Sequence, residues 1–108
     1  MKTQDYEKFC ESTAIYPKDR ELEYLVLGLT SEVGELAGKI KKIIRDKDGV
    51  SDVNDMDAGA KELSDIMWYV TRLSNFYNCT LEELMEVNYL KLSDRKERGV
   101  IGGSGDDR

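Results

Sequence analysis

The chain has 108 residues, of which 35% are charged, and a formal net charge of −6 at pH 7. This length fits a single domain, and the negative charge disfavours binding to a nucleic-acid backbone. The absence of histidine excludes Ser-His-Asp and Cys-His catalytic sites and any zinc site with histidine ligands.

The cysteines and the hydropathy pattern indicate where the protein resides. Cys10 and Cys79 are far apart and form no CxxC motif, so we expect reduced, packed thiols. The polar segment 1–9 does not have the pattern of a signal peptide. No apolar run approaches the roughly 18 residues that a membrane-spanning helix needs. We therefore expect a soluble, cytoplasmic protein that binds neither membranes nor nucleic acid.

The apolar pattern predicts helices and no β-strand. The first helix is expected over residues 3–16, where Pro17, the only proline, ends it. The second is expected over residues 20–45, with Asp19 as its N-cap. The third is expected over residues 56–77.

The fourth helix begins at a T-x-x-E capping box, residues 80–83, and Gly99 is the expected C′ residue at its end. Short connections between long helices favour antiparallel packing. We therefore predict an all-α fold of the four-helix-bundle type, with residues 1–99 forming one domain. The Gly-rich tail, residues 100–108, is either a disordered end or a segment that folds over a bound ligand.

The second helix combines a long apolar stripe with three glycines. Gly28, Gly34 and Gly38 each cost up to about 1 kcal/mol relative to alanine, which indicates either the close approach of a neighbouring helix or room for a ligand. The stripe, expected to face inward, consists of Leu22, Leu25, Leu29, Val33, Leu36, Ile40 and Ile43.

Two pairs of acidic residues are the most informative motifs. Glu32 and Glu35, and likewise Glu62 and Asp65, are spaced i, i+3, which places both acids of a pair on one helix face. Helical phase puts each pair beside an apolar stripe, where an unpaired charge is costly. Two such pairs on neighbouring helices can supply the oxygen ligands that Mg²⁺ and Mn²⁺ prefer. The alternative is two solvated acidic faces.

Basic and polar side chains accompany these acids. Lys39 and Lys42 lie on the carboxylate side of the second helix, within reach of a polyphosphate, although they also suit the negative end of the helix dipole. On the fourth helix, Asn88 falls within the apolar stripe, and Lys91 and Arg95 follow on or beside the same face. Inward polar groups need partners, so this row either packs against another helix or binds phosphates of a ligand.

These motifs together resemble the all-α nucleoside triphosphate pyrophosphohydrolases of the MazG type. The resemblance rests on the E-x-x-E and E-x-x-D pairs, on the segment 61–69 around the second pair, and on Asn88-x-x-Lys91. It also rests on the ending, residues 95–101 followed by Gly-Ser-Gly-Asp-Asp, and it covers nearly the whole chain.

The resemblance implies a hydrolase that converts an NTP or dNTP into the monophosphate and pyrophosphate, with a role in nucleotide-pool clean-up. It implies Mg²⁺ as the cofactor, with Mn²⁺ as a possible substitute, and a dimer or tetramer of identical chains. Some members carry an additional acid, the proposed general base, where this chain has Ser31. Glu35 is therefore the candidate base. The implied metal ligands are Glu32, Glu35, Glu62 and Asp65, and the implied substrate-binding residues are Lys39, Asn88, Lys91, Arg95 and Arg98.

Two other hypotheses stay open. A related pyrophosphohydrolase restricted to dUTP and dCTP, or to phosphoribosyl-ATP, would carry the same acids. A non-catalytic helical interaction module would leave the acids solvated and use Asn88 to set the register of packing.

Overall fold

The computed structural model describes the whole chain and contains no β-strand. Its four α-helices are α1 (Thr3–Ser12), α2 (Glu21–Lys47), α3 (Val53–Phe76) and α4 (Leu81–Glu97). A single 3₁₀ turn, Lys18–Arg20, precedes α2. The prediction of an all-α fold is confirmed.

The start of α2 differs from the prediction. Asp19 does not cap the helix: Arg20 occupies the N-cap position, and no side chain accepts a hydrogen bond there. The reason is that the 3₁₀ turn carries the chain directly into the helix. The first helix also ends earlier than expected, at Ser12, and the hydroxyl of Thr13 donates to the carbonyl of Cys10 at 3.0 Å.

The ends of α3 and α4 follow local capping chemistry. Asp52 and Asp55 form a reciprocal capping box, so α3 begins three residues before the predicted start. Thr80 accepts a hydrogen bond from the amide of Glu83 at 3.1 Å, as expected for the N-cap of α4. Gly99 has a φ of +71° directly after the C-cap, a conformation that favours glycine.

Helices α2 and α3 form an antiparallel hairpin that is the centre of the fold. Lys47 at the end of α2 pairs with Asp55 near the start of α3 at 2.7 Å. Glu21 at the start of α2 pairs with Arg72 near the end of α3 at 3.4 Å. The two helices therefore lie side by side from one end of the hairpin to the other. We call the surface depression between them the α2–α3 groove.

A buried polar cluster fixes the α1–α2 connection to α3. Tyr16 is buried and donates a hydrogen bond to Glu21, while Arg72 donates to the Tyr16 hydroxyl at 3.3 Å. The indole of Trp68 packs edge-on against Tyr16 and donates to the hydroxyl of Thr13 at 2.8 Å. Trp68 thus packs between α3 and the segment that follows α1.

The fourth helix leaves the fold open on one side. Helix α4 contacts α1 and α3 but not α2, and the radius of gyration is 17.0 Å, whereas a compact domain of this length has about 13 Å. Only 7 of 108 residues are buried. The prediction of an inward stripe on α2 holds at Leu25, which is fully buried. It is wrong within one chain at Leu22, Val33 and Ile40, which are 37%, 48% and 50% exposed. No helix of the same chain covers that side.

The cysteines and the hydropathy of the helices can be compared with the predictions from the sequence. Both cysteines are free thiols; Cys10 is buried and Cys79 is partly buried. None of the helices combines the length and the apolar character that crossing a bilayer requires.

Candidate active site

Three carboxylates meet midway along the α2–α3 groove. Glu32 and Glu35 come from α2 and Glu62 comes from α3. One oxygen of each lies within 4.8 Å of the others. The i, i+3 spacing places the first two on one face, and antiparallel pairing brings Glu62 opposite them. We call these three residues the carboxylate cluster.

Asp65, the fourth predicted ligand, borders this cluster. It lies one turn after Glu62 on α3, is exposed, and is not among the mutually close oxygens. Its negative charge nevertheless contributes to the raised pKa of Glu32. The structure therefore places three of the four predicted acids within 4.8 Å of one another and the fourth close enough for its charge to act on Glu32.

Glu62 is the buried member of the carboxylate cluster, with 8% of its surface exposed. Its Oε1 lies 3.4 Å from the amine of Lys39, which is longer than a charge-assisted hydrogen bond. Its Oε2 is buried without any hydrogen-bond partner. An unpartnered buried acceptor costs about 1–3 kcal/mol, and more when it is charged, so this oxygen fits the role of a ligand to a cation.

The pKa of Glu32 also indicates negative charge that the neighbouring residues do not compensate. Burial, and then the neighbouring charges of Glu35, Asp65 and Glu62, raise the pKa of Glu32 above its ordinary value. Like charges this close disfavour ionisation, and a bound cation reverses that effect. A set of convergent carboxylates with one orphaned oxygen fits a hard divalent ion such as Mg²⁺.

An aromatic side chain forms the wall of the groove on the side of the α2 N-terminus. The ring of Tyr69 lies directly over Gly28, where an added Cβ would be 2.1 Å from the Tyr69 Cε1 atom. Burial, the interaction with Tyr24, and the negative charges of Glu32 and Asp65 raise the pKa of Tyr69. Its hydroxyl therefore experiences the electrostatic field of these two acids. At Gly28 the explanation by close approach of a neighbouring helix is therefore correct.

The predicted substrate-binding residues divide into two groups. Lys39 lies at the carboxylate cluster. Asn88, Lys91, Arg95 and Arg98 lie on α4 or at its C-cap, and α4 does not contact α2 in the same chain. Asn88 and Lys91 are exposed. The expectation that Asn88 points into a core is wrong for a single chain, because no helix lies opposite that face.

The tail folds back onto the end of α4. The buried guanidinium of Arg95 donates to the carbonyl of Asp106 at 2.7 Å, and Arg98 donates to the main-chain oxygen of Arg108 at 2.7 Å. The side chain of Arg108 donates to three carbonyls of the tail, those of Ile101, Gly102 and Gly105. The tail thus packs against the end of α4 and accepts hydrogen bonds from two of the predicted phosphate-binding residues.

The sequence did not predict two polar clusters, each of which joins α3 to an end of α2. The amine of Lys47 bridges Asp52 and Asp55 at 2.9 and 2.7 Å. The D-x-x-D spacing of these two acids could have indicated the helix start that places them side by side. Arg72 pairs with Tyr16 and Glu21, which precede it by more than 50 residues. No local pattern indicates such a contact.

The motifs and the fold agree with the comparisons to known proteins. Residues 20–100, which include α2, α3, α4 and both acidic pairs, match the MazG nucleotide pyrophosphohydrolase domain. The chain is 44% identical over 114 aligned residues to the Gene 37 protein of Mycobacterium phage L5, with both chains covered in full. That name describes no activity, and no solved structure matches the chain. Because the domain match spans most of the sequence, this protein belongs to the MazG nucleotide pyrophosphohydrolase family.

Proposed function

We propose that the protein is a Mg²⁺-dependent hydrolase that cleaves the α–β phosphoanhydride bond of an NTP or dNTP. The products are the nucleoside monophosphate and pyrophosphate, and the role is nucleotide-pool clean-up. The observation that carries the proposal is the carboxylate cluster, in which three acids converge within 4.8 Å while the buried Oε2 of Glu62 has no partner. A solvated acidic face would leave no such buried oxygen.

Glu32, Glu35, Glu62 and Asp65 would hold the metal ion, Mg²⁺ or Mn²⁺. When bound, it supplies neutralisation of the phosphate charge and stabilises an in-line displacement at phosphorus. Lys39 lies 3.4 Å from Glu62, and its amine can turn to a phosphate oxygen once that carboxylate has another partner. The acids would therefore hold the metal ion, and Lys39 would orient the triphosphate.

Glu35 is the proposed general base. It is exposed, whereas Glu62 is buried and Glu32 is partly buried, so within the carboxylate cluster Glu35 has the freest access to water entering the groove. A carboxylate can accept the proton of an attacking water, so the reaction requires no histidine. Glu35→Gln should keep the fold, because it removes like-charge repulsion, and should abolish turnover.

Self-association would complete the site. The exposed apolar side chains of α2 and α4 and the radius of gyration of 17.0 Å indicate faces that a second copy can cover, since an all-helical chain of this size often completes its core by association. We propose that a partner chain in a dimer or tetramer brings its α4, with Asn88 and Lys91, to the carboxylate cluster. Arg95 and Arg98 would join them only after the tail releases both side chains.

A nucleotide panel tests the activity. Each NTP and dNTP, with dUTP, dCTP and phosphoribosyl-ATP included, is incubated with Mg²⁺ or Mn²⁺, and released pyrophosphate is measured separately from orthophosphate. We expect pyrophosphate and the monophosphate in equal amounts, with Glu35→Gln as the inactive control. Orthophosphate release would contradict the proposed bond cleavage and indicate a phosphatase. No product from any nucleotide would also contradict the proposal and would favour the interaction-module hypothesis.

Subunit mixing tests the shared site. Glu35→Gln and Asn88→Ala each impair every site of their own homo-oligomer, but a mixed dimer contains one site with both native residues if α4 acts across the interface. Random exchange should then restore about a quarter of the wild-type activity. Mixing that yields only the average of the two variants would show that Asn88 serves its own chain.

A further inference from the structure

A cavity adjoins the carboxylate cluster at the loop end of the groove. It has a volume of about 240 Å³ and lies between the last turns of α2 and the first turns of α3. Its charged lining consists of three lysines, Lys39, Lys42 and Lys47, and two acids, Asp46 and Asp55. The three lysines stand out in a chain whose net charge is −6.

The acids of this cavity are already neutralised. Arg45 donates to both carboxylate oxygens of Asp46 at 2.8 and 2.9 Å. Lys47 pairs with Asp55 and also with Asp52. These ion pairs leave the negative charges little capacity to repel an anion.

Lys42 is the lysine of the cavity that forms no ion pair with any acid of the chain. Lys42 is one of the residues that line the cavity. Arg45, as the larger cause, and the charge of Lys42 together hold the pKa of Asp46 below its ordinary value. A free ammonium group beside neutralised acids is available for an external anion.

The groove therefore presents its groups in a fixed order along α2. Tyr69 lies over Gly28, Glu32 and Glu35 follow, and Lys39 and Lys42 come one and two turns later. At 1.5 Å per residue, Lys42 lies about 10 Å along the helix axis from Glu35. With the extended lysine stem, this distance suits the outer phosphates of a triphosphate whose inner phosphate lies at the carboxylate cluster.

We propose that this cavity binds the diphosphate end of the substrate, and that Lys42 is the residue that fixes it. The nucleoside end then points toward Tyr69, so the groove sets the polarity of the substrate. The inference rests on the proposed hydrolase function.

In the reaction, the oxygen of water bonds to the α-phosphorus and its proton passes to the base. The bond from that phosphorus to the α–β bridging oxygen breaks, and pyrophosphate leaves with the electron pair. Lys42 would neutralise the charge that develops on this leaving group.

Binding of inorganic pyrophosphate tests the inference directly. Isothermal titration in Mg²⁺ buffer compares the full-length wild type, Lys42→Ala and the matched control Lys41→Ala. Lys41 is exposed, forms no ion pair and does not line the cavity. We expect Lys42→Ala to weaken pyrophosphate binding about tenfold relative to Lys41→Ala, as for the loss of one charge-assisted hydrogen bond. Affinity for a nucleoside monophosphate should be equal in all three proteins.

The outcomes separate this inference from the proposed function. Equal pyrophosphate affinity in the two lysine variants, or no binding by the wild type, would overturn the inference even if nucleotides are hydrolysed. Pyrophosphate binding that depends on Lys42 would support it without any turnover, and a silent nucleotide panel would then remove only the proposed reaction. Far-UV circular dichroism checks that each variant is folded.

Discussion

Replacing Gly28 by alanine should force Tyr69 away from α2. The new Cβ would lie 2.1 Å from the Tyr69 Cε1 atom and 2.4 Å from Cζ, whereas non-bonded carbons prefer about 3.5–4.0 Å. The ring must therefore move by roughly 1.4 Å. Overpacking of this kind costs about 1–3 kcal/mol, while alanine returns up to about 1 kcal/mol of helix propensity.

The expected result is a net loss of about 1 kcal/mol in the free energy of unfolding, which lowers the melting temperature by roughly 4–8 °C in a domain near this size. Thermal unfolding followed by far-UV circular dichroism measures it. Gly34→Ala is the control within the same helix, because no atom of the chain lies within 4 Å of its added Cβ. That variant should be as stable as the wild type or more so.

A double-mutant cycle decides whether the clash is the cause. In a Tyr69→Ala background the ring is absent, so adding Gly28→Ala should stabilise the protein through helix propensity alone. If Gly28→Ala destabilises the protein equally with and without the Tyr69 ring, or stabilises the protein that retains the ring, the reasoning about this contact is wrong.

Three further predictions concern the site. Saturating Mg²⁺, at about a hundred times its dissociation constant, should add about 2.7 kcal/mol of stability to the wild type and much less to Glu62→Gln. Scanning fluorimetry measures the shift in melting temperature of each protein, and equal shifts would exclude Glu62 as a metal ligand. Because the folded protein raises the pKa of Glu32, its ionisation disfavours folding: without metal, this contribution should lower stability as pH rises from the ordinary pKa of glutamate through the raised one. Denaturant titrations in a chelator at several pH values should show this loss in the wild type and less of it in Glu32→Gln. Asn88→Ala should mainly raise KM in steady-state assays, and an unchanged KM would exclude Asn88 from substrate binding.

Local signals in the sequence were sufficient for the helices and for part of the site. The capping box at Thr80 and the glycine at position 99 defined α4 within a few residues. The i, i+3 spacing placed Glu32 and Glu35 on one face, and the structure brings them to Glu62. Patterns of this kind are readable because they depend on backbone geometry within one or two turns.

Other properties of the site depend on contacts between distant segments. Nothing in the spacing distinguished Glu62, whose oxygen is buried without a partner, from the exposed Asp65 one turn later. The packing of Tyr69 on Gly28 joins residues 41 positions apart. Asn88 was expected to face inward, and its exposure follows from where α4 crosses the hairpin.

The sequence by itself determined the helical class, the order of the helices and the residue types that a metal and a polyphosphate need. Periodicity along a helix defines which side chains share a face. It does not define which neighbour that face meets, because that choice depends on the packing of all helices at once. Only the tertiary structure decided that α3 closes over the acids of α2, that a lysine-lined cavity adjoins them, and that α4 stays away from α2 in the same chain.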